Sequence, residues 1–278
     1  GFPGPVDLAL VFFTPHHRDL ALTLSRKVQQ HLQPGCLLGC PGETVVANER
    51  EYEDGPALCL WLARWGRPIA QSSFHLTAER TSEGFSLLGW PDELEETSPG
   101  QALLLTLADP FTFPIDHFLA RTNQDYPGLP VAGGMASGAH GPNENVLLLD
   151  GREVEQGAVG VLLRGNLGAR TVVSQGCRPI GKPLVITRAQ DNMIQELGGH
   201  PPLAHLQQLW QELSPRERQL VESGLHVGRV INEYQGSFQR GDFLIRNVVA
   251  ADRSTGALAI TERVRVGQTV QFHVRDAA

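Results

Sequence analysis

The chain of 278 residues has little of several residue types that mark whole classes of protein. It holds 4 cysteines with no CxxC or Cys/His cluster, which argues against a disulfide scaffold or a zinc site. Its apolar runs fall far short of the roughly 20 residues that span a bilayer. Lys and Arg number 23 against 30 Asp and Glu, so a formal charge of −7 disfavours nucleic acid and anionic membranes. We expect a cytoplasmic chain with no nucleic-acid partner and no membrane insertion.

The common catalytic and nucleotide-binding motifs are also missing. The sequence contains no GxxxxGK[ST] loop, no GxGxxG after a strand, no GxSxG elbow and no HExxH. We therefore predict no cofactor, no metal site and no catalytic residue. What is present is a globular composition, 41% hydrophobic and 19% charged, at a length that suits two domains.

One pattern occurs twice in the first part of the chain, about 95 residues apart. Each copy reads as strand, helix, strand into a glycine-rich turn, and two further strands. In the first helix the apolar stripe consists of Leu20, Leu24, Val28 and Leu32. The predicted elements are 6–13, 18–32, 35–43, 44–47 and 57–63 in the first copy, and 102–107, 115–122, 129–138, 146–149 and 158–163 in the second. We predict one domain over residues 1–164, with internal repeats at about 6–63 and 101–164.

The repeated pattern ends at residue 164, and we predict a second domain over residues 165–278. Strands are expected at 171–174 and 184–187, and a helix at 203–213. Ser214 with Glu217 three residues later predicts a capping box that opens another short helix. The remainder alternates strand-like runs with turns, including the turn at 252–256.

The paired glycine-rich turns are the predicted ligand site, because glycine lets a ligand approach backbone amides at strand ends. The alternative is that these glycines only allow tight backbone packing. Cys40 as a nucleophile is a weaker hypothesis, since the adjacent Glu43 raises its pKa and the second copy has Gly134 in its place. An arginine would pair a ligand carboxylate. The predicted ligand-binding residues are Gly39, Cys40, Gly42 and Glu43 from one copy, Gly133, Gly134 and Ser137 from the other, and Arg178 and Arg246.

Several segments together carry a resemblance to a known family. They are 39–43 (GCPGE), 129–138 (LPVAGGMASG), 157–161 (GAVGV), 178–183 (RPIGKP), 241–247 (GDFLIRN) and 267–276 (GQTVQFHVRD). In their order and spacing the chain resembles the FIST family (F-box and intracellular signal transduction), N-terminal and C-terminal domains together. The resemblance implies an intracellular sensory module that binds small ligands such as amino acids. Family members usually carry a helix before the first strand and a further α/β stretch after the FHVRD segment, so we expect the C-terminal domain to be incomplete.

These observations give one expectation for fold and one for function. The fold class is α/β (α+β), with mixed sheets in an α-β-β-α layered sandwich, because two sheet-plus-helix units must bury their bare sheet faces, and a second α+β domain. The expected function is small-ligand sensing in signal transduction, with a signalling protein as a further partner. The alternatives are a protein–protein interaction module without a ligand, and a Cys40-dependent hydrolase or transferase.

Overall fold

The computed structural model describes residues 4–53, 55–82, 84–97, 100–169, 176–239 and 241–276. The chain divides into two compact units, Gly1–Thr171 and Val172–Ala278. In the described part of the chain, no helix is long and apolar enough to cross a membrane.

The first unit is built from strands with one helix in each copy of the repeat. Its helices are α1 (Ala21–Leu32) and α2 (Ile115–Asp125). Its strands are β1 (Leu8–Phe13), β2 (Cys36–Pro41), β3 (Val45–Ala47), β4 (Arg50–Tyr52), β5 (Leu58–Ala63), β6 (Ala70–Thr81), β7 (Gly84–Leu88), β8 (Ala102–Ala108), β9 (Val131–Met135), β10 (Leu147–Leu149), β11 (Arg152–Val154) and β12 (Ala158–Arg164).

The duplicated unit is visible in how these strands pair. One sheet has the order β11-β10-β2-β1-β5 and the other β7-β6-β12-β8-β9. In the first copy β1 is parallel to β2 and antiparallel to β5. In the second, β8 is parallel to β9 and antiparallel to β12. The hairpin of β10 and β11 leaves its own copy and joins β2 of the other, which ties the two sheets together.

Three apolar clusters show the layering of this unit. Leu38 and Cys40 of one sheet pack with Val161 of the other, so the two sheets face each other. The opposite face of the first sheet packs against α1 through residues such as Val28, and that of the second packs against α2 through Phe118. The mixed sheets of the predicted α/β (α+β) class therefore form an α-β-β-α sandwich.

Several local predictions need correction. The buried side of α1 starts at Ala21 and Ser25, whereas Leu20 is exposed, because residues 15–20 form a 3₁₀ helix that changes the phase of the stripe. Strands β4, β6, β7 and β11 were not predicted. Of these, β6 lies between the two copies and pairs with β12, and Asp150 and Gly151 turn β10 into β11 instead of leading directly to β12.

The second unit combines a barrel with two helices. Six strands of the described chain close in the order β13-β14-β17-β16-β15-β18. The helices are α3 (Pro202–Glu212) and α4 (Pro215–Ser223), and the strands are β13 (Cys177–Gln190), β14 (Met193–Leu197), β15 (Leu225–Val230), β16 (Phe243–Asp252), β17 (Ala257–Ile260) and β18 (Thr269–Arg275).

The capping box at the start of α4 is confirmed, since the Glu217 backbone N–H donates to Ser214 Oγ and the Ser214 N–H donates to the Glu217 carboxylate. The helix at 203–213 and the turn at 252–256 are confirmed as well. The strand predicted at 171–174 lies outside the described residues. The segment 178–183, between the strands predicted at 171–174 and 184–187, belongs to β13. Closure of the barrel was not predicted, because the order of strands in a sheet cannot be read from alternation of apolar and polar residues alone.

Candidate functional site

The two glycine-rich turns meet each other. The Ser137 backbone N–H donates to the Pro41 carbonyl at 3.2 Å, and the Glu43 backbone N–H donates to Ser137 Oγ at 3.1 Å. Ser137 follows β9 and Glu43 follows β2, so each turn leaves the carboxyl end of a parallel strand pair. Carboxyl ends of parallel strands are where open α/β sheets bind ligands. We call residues 41–44 and 136–138 the seam.

Gly39 and Cys40 lie inside strand β2, so the prediction that they belong to a turn is wrong. A Cβ on Gly39 would stand 2.6 Å from the Val11 carbonyl oxygen and 3.0 Å from Leu148, which makes close packing the reason for glycine there. Cys40 is only 6% exposed, and burial raises the pKa of its thiol to about 12. A thiol with that pKa is protonated at neutral pH and is a poor nucleophile.

Gly133 and Gly134 also lie inside a strand, but at an edge, because among the described strands β9 pairs only with β8. Gly133 has a φ of 145°, and a Cβ there would stand 1.7 Å from the Thr106 carbonyl oxygen, so the backbone requires glycine. Gly134 is exposed, and no described atom lies within 4 Å of the place its Cβ would take. Close packing therefore explains why residue 133 is glycine, whereas the space next to Gly134 is open.

Two polar side chains are available at the seam, those of Glu43 and Ser137. Gly42 donates its N–H to the Phe13 carbonyl at 2.9 Å, which fixes the first turn, and Glu43 and Thr44 after it are exposed. The carboxylate of Glu43 is exposed and forms no ion pair with any described residue. Since Ser137 Oγ accepts from the Glu43 N–H, its own hydrogen is free to donate to a ligand oxygen. The seam thus offers one anion and one hydroxyl donor.

A buried polar cluster at the end of β8 was missed by the sequence analysis. Asp109 is 1% exposed, and both of its carboxylate oxygens accept hydrogen bonds, from Thr112 Oγ1 at 2.5 Å and from Asn145 Nδ2 at 2.8 Å. The Asn145 contact ties the loop that follows the second turn to the end of β8. The repeat could have pointed to this position, because Thr14, which follows β1 and is equally buried, matches Asp109.

Arg178 lies in the second unit and is already engaged. Its guanidinium donates to Asp276 at 2.8 Å and to Glu217 at 3.1 Å, while Arg216 donates to the other oxygen of Asp276. The Asp276 hydrogen bond raises the pKa of Arg178, and hydrogen bonds from Ser214 and then Arg178 lower the pKa of Glu217. The network joins the two ends of the second unit's sequence.

Arg246, on strand β16 of the barrel, is also ion-paired already. Its Nε donates to Glu262 at 2.8 Å, and Arg229 donates to the other carboxylate oxygen at 3.0 Å. Burial raises the pKa of Glu262, but the hydrogen bonds and charges of the two arginines outweigh it and lower the pKa. Arg178 and Arg246 as ligand residues stay a prediction.

In the described part of the chain, no group of three or more His, Cys, Asp or Glu side chains is arranged so that it could hold a metal ion. The candidate site at the seam consists of backbone, hydroxyl and carboxylate groups, which can donate and accept hydrogen bonds.

Comparison with known proteins identifies the family. The profile of the FIST N domain matches residues 7–200, and that of the FIST C domain matches residues 203–278. This chain belongs to the FIST family. FIST domains are associated with signal transduction. The FIST N match extends past the first compact unit through β13 and β14, so the second unit combines the end of FIST N with FIST C.

Relatives of this FIST protein occur in mycobacteria. The uncharacterized protein Mb0898c of Mycobacterium bovis is 41% identical over 272 residues, which cover 98% of this chain and 68% of the relative. The uncharacterized protein Rv0628c of Mycobacterium tuberculosis is 41% identical over 275 residues, which cover 99% of this chain and 70% of the relative. Both alignments span nearly the whole of this chain, and both relatives are uncharacterized.

Proposed function

We propose that this FIST protein is a sensory module of signal transduction that binds a small metabolite at the seam, with amino acids as the first class to test. The observation that carries the proposal is the direct hydrogen bonding of the two turns at the carboxyl ends of their parallel strand pairs. Such edges are the usual ligand sites of open α/β sheets.

The groups exposed at the seam fit a ligand with an amine and an oxygen acceptor. The Glu43 carboxylate suits an ammonium group, and the Ser137 hydroxyl suits a carboxylate or carbonyl oxygen. For Arg178 or Arg246 to bind the ligand carboxylate instead, the ligand would have to displace Asp276 and Glu217 or Glu262.

Calorimetric titration with the common amino acids tests the proposal. We expect at least one to release or absorb heat on the wild-type chain, and Glu43→Gln to weaken its binding by about fivefold, the value of one partly exposed charge contact. Glu79→Gln is the matched control, because Glu79 is exposed on β6 of the same unit and forms no ion pair with a described residue. No heat with any amino acid and no thermal stabilisation would overturn the proposal.

A protein–protein interaction module is the second candidate, favoured by strand β5. Among the described strands β5 pairs only with β1, and it exposes Leu58, Leu60 and Trp61 at 46%, 40% and 48%. An exposed apolar edge strand is a template for pairing with another chain. A pull-down in which Trp61→Lys loses a signalling partner that Glu43→Gln retains would favour this candidate over ligand sensing.

A hydrolase or transferase that uses Cys40 has the least support. Its thiol is buried in the packing between the two sheets, and no described cation offsets the burial that raises its pKa. The chemistry of a thiolate nucleophile needs the opposite environment.

A further inference from the structure

A cleft of about 330 Å³ lies beside helix α3 in the second unit. One wall is the helix, the other is strand β13, and Leu184, Leu209 and Phe272 give it an apolar lining. The volume is at the lower end of the range for small-molecule sites. A ligand here would have an apolar part to bury.

A bulge in β13 shapes one side of the cleft. The pairing of β13 with β18 shifts register between Ile180 and Leu184, and the residues between them bow away from the ladder. Gln271, which is 8% exposed, donates from Nε2 to the Gly181 carbonyl at 2.9 Å and so holds the bulge in place. Lys182 lies within this bulge, is exposed and lines the cleft.

One face of α3 forms the other side. His205, Gln208, Leu209 and Glu212 follow the i, i+3, i+4, i+7 spacing that places side chains on a single helix face, and all four line the cleft. Glu212 is the last residue of α3. The carbonyls of Trp210 and Gln211 at this end of the helix already accept hydrogen bonds from Arg218, at 3.0 and 3.4 Å, so the Glu212 carboxylate is the group that offers a ligand cation a partner.

The two charged residues of the cleft do not neutralise each other. Within the described residues, neither Lys182 nor Glu212 forms an ion pair, although both line the same cleft. We propose that the cleft binds a small zwitterion that carries an apolar group, with its ammonium at Glu212, its carboxylate at Lys182 and its apolar group against Leu184 and Phe272. This site is separate from the seam and does not depend on it.

Calorimetry with leucine and two half-ligands tests the assignment. Leucinamide keeps the ammonium without the carboxylate, and 4-methylpentanoate keeps the carboxylate without the ammonium. We expect Lys182→Met to weaken leucine about fivefold and to leave leucinamide unchanged, and Glu212→Gln to weaken leucine about fivefold and to leave 4-methylpentanoate unchanged. A purely structural role of either residue would not separate the half-ligands.

Matched controls come from the same unit. Arg253→Met and Glu222→Gln each remove one exposed charge outside the cleft, and neither should change leucine binding. All titrations use the full chain with Glu43→Gln, which removes the carboxylate of the seam, so the effects of Lys182→Met and Glu212→Gln are measured in a background where binding at the seam is weakened. Absence of leucine heat in that chain, or equal weakening of leucine and leucinamide by Lys182→Met, would overturn the assignment while leaving the seam proposal untouched.

Discussion

Strands β2 and β9 hold matching places in the two copies of the repeat and end in very different surroundings. Strand β2 lies between β1 and β10 and is buried along its whole length, whereas β9 pairs only with β8 among the described strands and exposes Gly133 and Gly134. The difference comes from the β10–β11 hairpin of the second copy, which covers the outer side of β2. Equivalent residues of a duplicated unit can thus serve packing in one copy and remain accessible in the other.

Replacement of Gly133 should have the largest effect on the edge strand. Gly133→Ala places a Cβ against the Thr106 carbonyl oxygen at a φ of 145°, and we expect it to lower the free energy of unfolding by about 4 kcal/mol. Urea denaturation measures this loss. Gly134→Ala is the neighbouring control, which should be neutral or slightly stabilising because its Cβ meets open space. Equal losses for the two would contradict the geometry of β9.

Cysteine reactivity compares the two strands at matching positions. Cys40 is buried with a pKa of about 12, and Gly134→Cys would put a thiol at the equivalent exposed place. We expect iodoacetamide at pH 7.5 to label the introduced thiol about 100-fold faster than Cys40, as read by mass spectrometry.

The pH dependence of the labelling rate should differ between the two thiols because their pKa values differ. An exposed thiol has an ordinary pKa near 8.5, so the rate at position 134 should rise from pH 7 and level off above about pH 9. The rate at Cys40 should keep rising through that range because its raised pKa leaves it protonated. If Cys40 reacts first, its burial is wrong and the nucleophile hypothesis returns.

Gly39→Ala tests strand β2, the buried one of the two strands compared. Its Cβ would crowd the Val11 carbonyl and Leu148 from the two neighbouring strands, and we expect a loss of about 2 kcal/mol in unfolding free energy, typical of overpacking. The loss should be smaller than that of Gly133→Ala, since no positive φ adds strain. A neutral result would mean that packing does not require this glycine.

Ser137→Ala should have the smallest effect. It removes the acceptor of the Glu43 N–H at an exposed turn, where water replaces it, so we expect about 0.5–1 kcal/mol of destabilisation by urea denaturation. Ser82→Ala, an exposed serine on the β6–β7 hairpin, should change nothing. A loss of more than about 2 kcal/mol in unfolding free energy would show that the seam mainly stabilises the fold.

Much of the first unit could be predicted from the sequence, because the periodicity of apolar residues and the constant offset between the two repeats can both be read directly from it. The apolar runs that became β1 and β8 are examples. Strand β6 could not, since two thirds of its residues are polar or charged and its partner β12 is about 90 residues away in the chain. Closure of the second unit's barrel likewise depends on pairings between distant strands, such as β13 with β18.

The candidate site was predicted in part. Gly42, Glu43 and Ser137 meet at the seam, as the matched turns indicated. Gly39 and Cys40 were placed in the turn because glycine and proline mark turns in sequence, yet the neighbouring strands extend β2 to Pro41. The salt bridges of Arg178 and Arg246 join residues from separate elements, which one sequence does not reveal.

The most direct test of the central claim is calorimetric titration of the double variant Glu43→Gln and Ser137→Ala with the amino acids that bind the wild-type chain, in a background of Lys182→Met and Glu212→Gln. The two changes remove the carboxylate and the hydroxyl that the seam exposes. We expect a loss of no more than about 1 kcal/mol in unfolding free energy and binding weakened by at least about tenfold. Wild-type affinity in this variant would contradict a ligand site at the seam.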